Sequence, residues 1–293
     1  MADDLLSKNS VAKYKEIADM TVRLVGDISV KHLNGEMINK LKLTLNDRKL
    51  SSSRKNHFMI VVRNLLKFLK EDEGLSFYDY TKIVKYKVPV NEVKILSKEQ
   101  LEFLISSLDG ATTLARLRFR ALVLSLISTG CRISELLDLN IQDVDLIGGI
   151  ATVNGKGSKR RQVIFNKMAV DALVKYMEVR TDSCGALFAT ANTTQPKRWQ
   201  KNDAERSMRN YGRKIGLGMN LHPHLLRRSS ASLLYHQNAP MPVIKKYLGH
   251  SISSSATQKY YLGDIGFDEV QRFHESILSF DININTREED KKI

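Results

Sequence analysis

One stretch of the chain, TLARLRFRALVLSLISTGCRISELLDL (Thr113–Leu139), joins the most apolar run of the sequence to a sharp break. Its first part has the length and composition of a buried helix, and Gly130 ends it because glycine readily adopts the left-handed conformation that closes helices. CRISELLDL then begins a second helix at once, so Arg132 falls in its first turn. No segment reaches the roughly 18 uninterrupted apolar residues of a membrane span, so we expect no membrane association.

The rest of this half of the chain predicts a small sheet among helices. Alternating residues predict a hairpin of Ile150–Val153 and Gln162–Phe165 around the glycine-rich tip NGKGSKRR. Helices are predicted over KMAVDALVKYMEVR, over KRWQKNDAERSMRNYGRKIGL with its seven basic residues between Lys197 and Lys214, over Pro223–His236 and over Pro242–Leu248, which Gly249 ends. The fold class is therefore mainly α with a small antiparallel β-sheet.

The N-terminal part, residues 9–75, predicts helices alone. The clearest runs through SSSRKNHFMIVVRNLLKFLKEDEG, where helical spacing predicts an apolar face of Phe58, Val61, Val62, Leu65 and Leu69. We predict a helical domain over residues 1–80, a linker over 81–95 and a second domain over 96–283. The second domain opens with the capping pattern of Ser97 and Gln100, includes a C-terminal helix, and is followed by a disordered tail at 284–293.

Charge and cysteine content narrow the class of partner and compartment. The 293 residues carry 46 Lys and Arg against 32 Asp and Glu, a net charge of +14, which favours a polyanion such as double-stranded DNA. Two cysteines, Cys131 and Cys184, exclude a disulfide scaffold and a four-cysteine zinc site. Acidic residues in MADDLLSKNS do not fit a secretory signal, so we expect a cytoplasmic protein.

Several polar residues match what metal-free cleavage of a phosphodiester requires. Such a reaction needs an activated nucleophile, cations to meet the added charge on phosphorus, and an acid to protonate the leaving oxygen. A helix start and a bidentate guanidinium favour an anion at Arg132, while His224 and Arg227 are three apart and share a helix face. The candidate catalytic residues are Arg132, Lys156, His224, Arg227, His250 and Tyr260.

The motifs around these residues resemble those of the tyrosine recombinases, also called phage-type integrases. TGCRISELLDL, GKGSKRR, HPHLLRR, YLGH and TQKY occur in the family's order, and the short N-terminal domain looks most like that of Xer-type resolvases and integrases of small mobile elements. The resemblance covers Leu96 to Phe280. It implies a helical core-binding domain followed by an α+β catalytic domain, and site-specific recombination that needs neither metal nor cofactor.

The resemblance also implies a role for each residue. Arg132 and Arg227 would bind the non-bridging oxygens of the scissile phosphate, and His250 would hydrogen-bond a phosphate oxygen. Lys156 would protonate the leaving 5′ oxygen. His224 would take the proton of Tyr260, whose attack on phosphorus gives a 3′-phosphotyrosyl link.

Two departures from the family pattern leave alternatives open. Arg228 stands where the family often has histidine, and the spacing from His250 to Tyr260 is one residue longer than the commonest. Tyr261 is therefore a rival nucleophile, although the T-x-x-Y pattern favours Tyr260. Lys159 is a rival to Lys156, since both lie at the hairpin tip.

Structural rather than catalytic roles are expected for the other polar residues. We expect His57, His222, His236 and His274 to be surface or capping residues, and we predict no metal site. Glu135 should brace Arg132. Lys159, Arg160 and Arg161 should be phosphate contacts or solvated charges rather than catalysts, and Cys131 a small buried residue.

The resemblance further implies a homotetramer on paired DNA sites. An apolar stripe of Phe267, Val270, Phe273, Ile277 and Phe280 would dock in trans on the neighbouring protomer, although packing on its own domain is the simpler reading. Two other functions share these features: DNA relaxation of the type IB topoisomerase kind, and DNA binding by a regulator without catalysis.

Overall fold

The computed structural model describes residues 8–89, 94–155 and 160–249, together with Val270, Gln271 and His274. The chain divides into two compact units, Met1–Glu92 and Val93–Ile293. The described elements, in chain order, are α1 (Lys8–Val25), α2 (Gly35–Asp47), α3 (Ser52–Glu71), α4 (Lys98–Ser107), α5 (Leu114–Thr129), α6 (Ile133–Leu137), β1 (Val144–Asp145), β2 (Ile150–Asn154), β3 (Arg160–Ile164), α7 (Lys167–Glu178), α8 (Lys201–Lys214), α9 (Pro223–His236) and α10 (Met241–Leu248). The mainly helical fold class with a small antiparallel sheet is confirmed. None of the described helices combines the length and apolar character that a bilayer span requires.

The first unit packs α1, α2 and α3 around one apolar core. The Ser51 side chain caps α3 by accepting from the backbone N–H of Arg54. The apolar face of α3 differs from the predicted one, because Leu65 is 41% exposed while Leu66 and Met59 are buried, at 2% and 1% exposed. Met59 and Leu66 belong to the same core as Phe58 and Val62.

The start of the predicted linker is tied to this unit. Ile83 is buried in the core of the first unit. The Asn56 amide donates to the carbonyl of Tyr86 and accepts from its backbone N–H, at 3.0 and 2.7 Å. The domain boundaries predicted at residues 80 and 95 remain predictions.

The second unit is built around α5. The Thr113 side chain caps its start, and its second half, Ala121 to Thr129, is buried throughout. Gly130 ends it in the left-handed conformation with φ of 57°, as predicted. The capping box of Ser97 and Gln100 at the start of α4 is also confirmed.

The sheet has the strand order β1-β2-β3 and is antiparallel throughout. The hairpin is confirmed, with Ile150 paired to Ile164 and Val153 paired to Arg161. Buried residues alternate along β2, where Ala151 and Val153 face the core. Residues 156–159 at the hairpin tip lie outside the described part of the chain.

Helices α9 and α10 lie beside α5 in the second unit. Helix α9 has the predicted bounds, and α10 ends at Gly249, which is left-handed with φ of 60°. Val270 packs with Ile164 and Val243. His274 was expected at the surface or at a helix end; it is instead buried and hydrogen-bonded through Nε2 to the Ser128 carbonyl at 2.6 Å, because the chain returns to the end of α5.

Candidate active site

Arg132 lies at the junction of α5 and α6. The left-handed Gly130 ends α5, and the Tyr247 ring packs so closely there that a Cβ on Gly130 would lie 2.5 Å from it. Arg132 is the residue before α6 and keeps extended backbone angles. Its side chain is 35% exposed, so the guanidinium can meet an anion from solvent.

The Glu135 carboxylate fixes the position of Arg132. Its side chain is 4% exposed; Oε1 accepts from the Arg132 guanidinium at 2.6 Å and Oε2 from the Arg132 backbone N–H at 2.9 Å. Burial alone would raise the pKa of Glu135, but the hydrogen bonds from Arg161 and Arg132 outweigh it and hold that pKa below its usual value. The expectation that Glu135 braces Arg132 is confirmed.

Arg161 points into the protein and is paired with Glu135, so it is not the solvated charge that was one of its two expected roles. Its side chain is 16% exposed and donates to Oε2 of Glu135 at 2.9 Å. The guanidinium lies against the backbone of Gly249, where a Cβ would meet Nε at 2.4 Å. The reason is the register of β3: Arg161 shares a face with buried Val163 and is paired with buried Val153.

Arg227 is the most enclosed cation of the site. It is 6% exposed and donates to the carbonyls of Gly130 and Leu248, the residues at the ends of α5 and α10. Burial lowers the pKa of Arg227, and the positive charges of Arg132 and Arg161 lower it further. The guanidinium is therefore fixed by two backbone contacts, and its charge is close to that of two other arginines.

The start of α9 presents the two histidines differently. His222 caps the helix, its Nδ1 accepting from the backbone N–H of Leu225 at 3.1 Å, which agrees with its expected place at the surface or at a helix cap. The His224 side chain is exposed, but neighbouring groups remove part of its hydration. This partial desolvation, together with the charges of Arg227 and Arg228, lowers the pKa of His224. Because the pKa of His224 is depressed, the imidazole is neutral near pH 7 and can accept a proton.

The structure thus brings together three of the six predicted residues, namely Arg132, His224 and Arg227. The charge of Arg132 contributes to the lowered pKa of both His224 and Arg227, so the three groups share one electrostatic environment. Lys156, His250 and Tyr260 lie outside the described residues, as do the rivals Lys159 and Tyr261.

The described part of the site is built to bind an anion. The guanidinium groups of Arg132 and Arg161 contact one carboxylate, and Arg227 is close enough for their charges to lower its pKa, so positive charge is left over. Within residues 8–89, 94–155 and 160–249, no group of three or more His, Cys, Asp or Glu side chains could hold a metal ion. Sequence reasoning did not predict that Arg161 pairs with Glu135, although the alternation of Arg161 with buried Val163 indicated an inward-facing side chain.

Comparison with known proteins agrees with this geometry. Residues 94–264 match the Phage integrase family. Tyrosine recombinase XerA of Pyrococcus furiosus is 31% identical over 202 residues, 69% of this chain and 68% of the relative. Tyrosine recombinase XerC of Myxococcus xanthus is 33% identical over 223 residues, 69% of this chain and 72% of the relative.

A solved structure shows the same fold at lower identity. The Tn1549 transposon integrase, solved in complex with circular intermediate DNA, superposes with a TM-score of 0.69 at 16% identity. The match covers 93% of this chain and 95% of that one.

Proposed function

This chain belongs to the phage integrase family and is a tyrosine-type site-specific DNA recombinase, and we propose from that premise how its residues break and rejoin DNA. Tyr260 attacks the scissile phosphorus, the bond to the 5′ oxygen breaks, and a 3′-phosphotyrosyl link forms. The ester keeps the free energy of the broken bond. A 5′-OH of a partner DNA can therefore reseal the strand without ATP, metal or cofactor.

The convergence of Arg132 and Arg227 is the observation that carries this proposal. The attack adds a negative charge to the phosphate oxygens, and preorganised cations stabilise that charge most when they need not move. The two carbonyl contacts of Arg227 and the Glu135 contact of Arg132 provide such preorganisation. Each guanidinium can give two parallel hydrogen bonds to non-bridging oxygens.

In this mechanism His224 and Lys156 transfer the protons. A tyrosine hydroxyl has a pKa near 10 and needs a base, and the lowered pKa of His224 keeps that base neutral. His224 takes the proton of Tyr260 and returns it on resealing. Lys156 gives a proton to the leaving 5′ oxygen, and His250 donates a hydrogen bond to a phosphate oxygen.

Basic helices supply the contacts with duplex DNA. Helix α8 carries five of the seven basic residues of the Lys197–Lys214 stretch, and α3 carries a second basic face. We propose that phosphate contacts give most of the affinity and that a few side chains on these helices read base edges in the major groove. The protein then acts at one DNA sequence, in the cytoplasm, on a small mobile element or a chromosome site.

Strand exchange requires two DNA sites in one assembly, and we propose a homotetramer. Ile277 and Phe280, the last two residues of the C-terminal stripe, dock in trans on a neighbour. The contacts of Val270 and His274 are made within the chain, so the proposed exchange concerns residues that follow His274. This arrangement links the position of one tyrosine to the adjacent protomer.

A covalent trap tests the chemistry and the nucleophile together. DNA fragments of the organism that encodes the chain are incubated with the protein, denatured in detergent, and the DNA ends attached to protein are sequenced. We expect adducts at a single sequence, loss of them in Tyr260→Phe, and their retention in the matched control Tyr261→Phe. Absence of any adduct with the unaltered protein would refute the proposed function, and the reverse pattern of the two variants would move the nucleophile to Tyr261.

A further inference from the structure

We propose that Arg161 is a positioning residue of the recombination site, which acts through Glu135 to leave Arg132 free to bind phosphate. The inference rests on the proposed function, since it presumes that Arg132 meets the scissile phosphate. Arg161 itself would touch no DNA. Its role follows from the contacts of one buried carboxylate.

Glu135 divides its two oxygens between two cations. Oε1 accepts from the Arg132 guanidinium at 2.6 Å, and Oε2 accepts from Arg161 at 2.9 Å. The Arg132 backbone N–H is also bound to Oε2. One carboxylate therefore fixes both the backbone and the side chain of Arg132 and is itself fixed by Arg161.

The charge balance explains why a second arginine is needed. A buried Glu135 paired with Arg132 alone would form a neutral pair, and a neutral pair attracts a phosphate only weakly. Arg161 supplies the second positive charge, so the three groups together keep a net charge of +1. Because Arg132 is the most exposed of the three, that surplus charge is presented where an anion can reach it.

Arg161 also lies where two functional segments meet. It belongs to β3, which follows the hairpin tip that contains Lys156, and its guanidinium fills the space beside Gly249, the residue before His250 in the sequence. The Arg161 side chain occupies the space where a Cβ on Gly249 would lie, while its guanidinium reaches Glu135. A lysine ammonium at this position can keep the charge but cannot fill the space beside Gly249 with a planar guanidinium.

The test is a double-mutant cycle on the cleavage step. The sequence recovered by the covalent trap is placed in a duplex with a nick beside the cleavage point, so that the released strand cannot return, and adduct formation is timed at saturating protein. We expect Arg161→Gln to slow cleavage about 10- to 100-fold, the range for loss of a charge-assisted contact in an active site, while the dissociation constant for the duplex changes less than about threefold.

The second mutation gives the distinguishing sign. In Arg161→Gln the carboxylate of Glu135 neutralises Arg132, so adding Glu135→Gln should restore charge and make the double variant faster than Arg161→Gln alone. A purely structural role predicts the opposite, because losing both partners would damage the site further. Arg161→Lys should recover part of the rate. Arg161→Lys also replaces Arg161→Gln in the test if the latter does not fold, which the fluorescence of buried Trp199 would report.

A matched control comes from the adjacent residue. Arg160→Gln removes one exposed charge from the same strand and should leave cleavage at saturation within about twofold of the unaltered protein. The proposal is overturned if Arg161→Gln cleaves like Arg160→Gln, or if the double variant is slower than Arg161→Gln. Failure of the proposed function looks different: neither the unaltered protein nor any variant would form an adduct, and Arg132→Gln would change nothing.

Discussion

Replacing Gly130 by alanine tests the turn on which the site is built. Gly130 is left-handed, with φ of 57°, and an alanine Cβ would lie 2.5 Å from two carbons of the Tyr247 ring. The ring cannot move away freely, because Tyr247 is buried and its hydroxyl donates to the Ile127 carbonyl at 2.8 Å. The substitution therefore combines backbone strain with overpacking.

The magnitude follows from these two contributions. An L-residue in the left-handed region costs about 1–2 kcal/mol, and forcing extra volume into a packed core costs about 1–3 kcal/mol. We expect Gly130→Ala to lower the free energy of unfolding by about 2–5 kcal/mol. The Gly130 carbonyl accepts from Arg227, so cleavage of DNA should fall as well.

Gly110→Ala is the matched control. Gly110 is also left-handed, with φ of 72°, but nothing lies within 4 Å of the position that an alanine Cβ would occupy, so only the backbone cost of about 1–2 kcal/mol applies. Both free energies can be measured by urea unfolding followed by the fluorescence of Trp199, which is the single tryptophan and lies in the same core as α5. Equal losses in the two variants would refute the argument that the Tyr247 ring restricts Gly130.

Two further predictions concern proton transfer. The pKa of His224 is lowered from 6.5, so its neutral, proton-accepting form persists below that pH and cleavage should decline only as the pH falls further. His224→Gln should remove this acidic limb of the pH–rate profile, whereas the control His222→Asn, which keeps a capping side chain, should retain it. An unchanged acidic limb in His224→Gln would contradict the assignment of His224 as the base. Replacing the 5′ bridging oxygen of the substrate by sulfur gives a leaving group that needs no acid, since thiols ionise near pH 8.5. This substrate should restore cleavage to Lys156→Met but not to Arg132→Met, and rescue of Lys159→Met instead would assign the acid to Lys159.

Local patterns in the sequence determined most of the elements. Helix α9 has its predicted bounds because Pro223 fits the first helical position and His222 caps it. The hairpin and the end of α5 at Gly130 depend on alternation and on glycine conformation, which are properties of a few neighbouring residues. The motifs that identified Arg132, His224 and Arg227 are local in the same sense, and the matching family and relatives bear out the recombinase reading.

Only the tertiary structure decided which charges face inward. Arg161 pairs with a carboxylate 26 residues earlier, and Arg227 reaches a carbonyl 97 residues earlier. His274 is buried against Ser128, 146 residues away, where a reading of its neighbours placed it at the surface. A short stretch of sequence states which residues alternate or repeat, but burial of a charge depends on a partner that folding brings from elsewhere, because an unpaired charge would be too costly to remove from water.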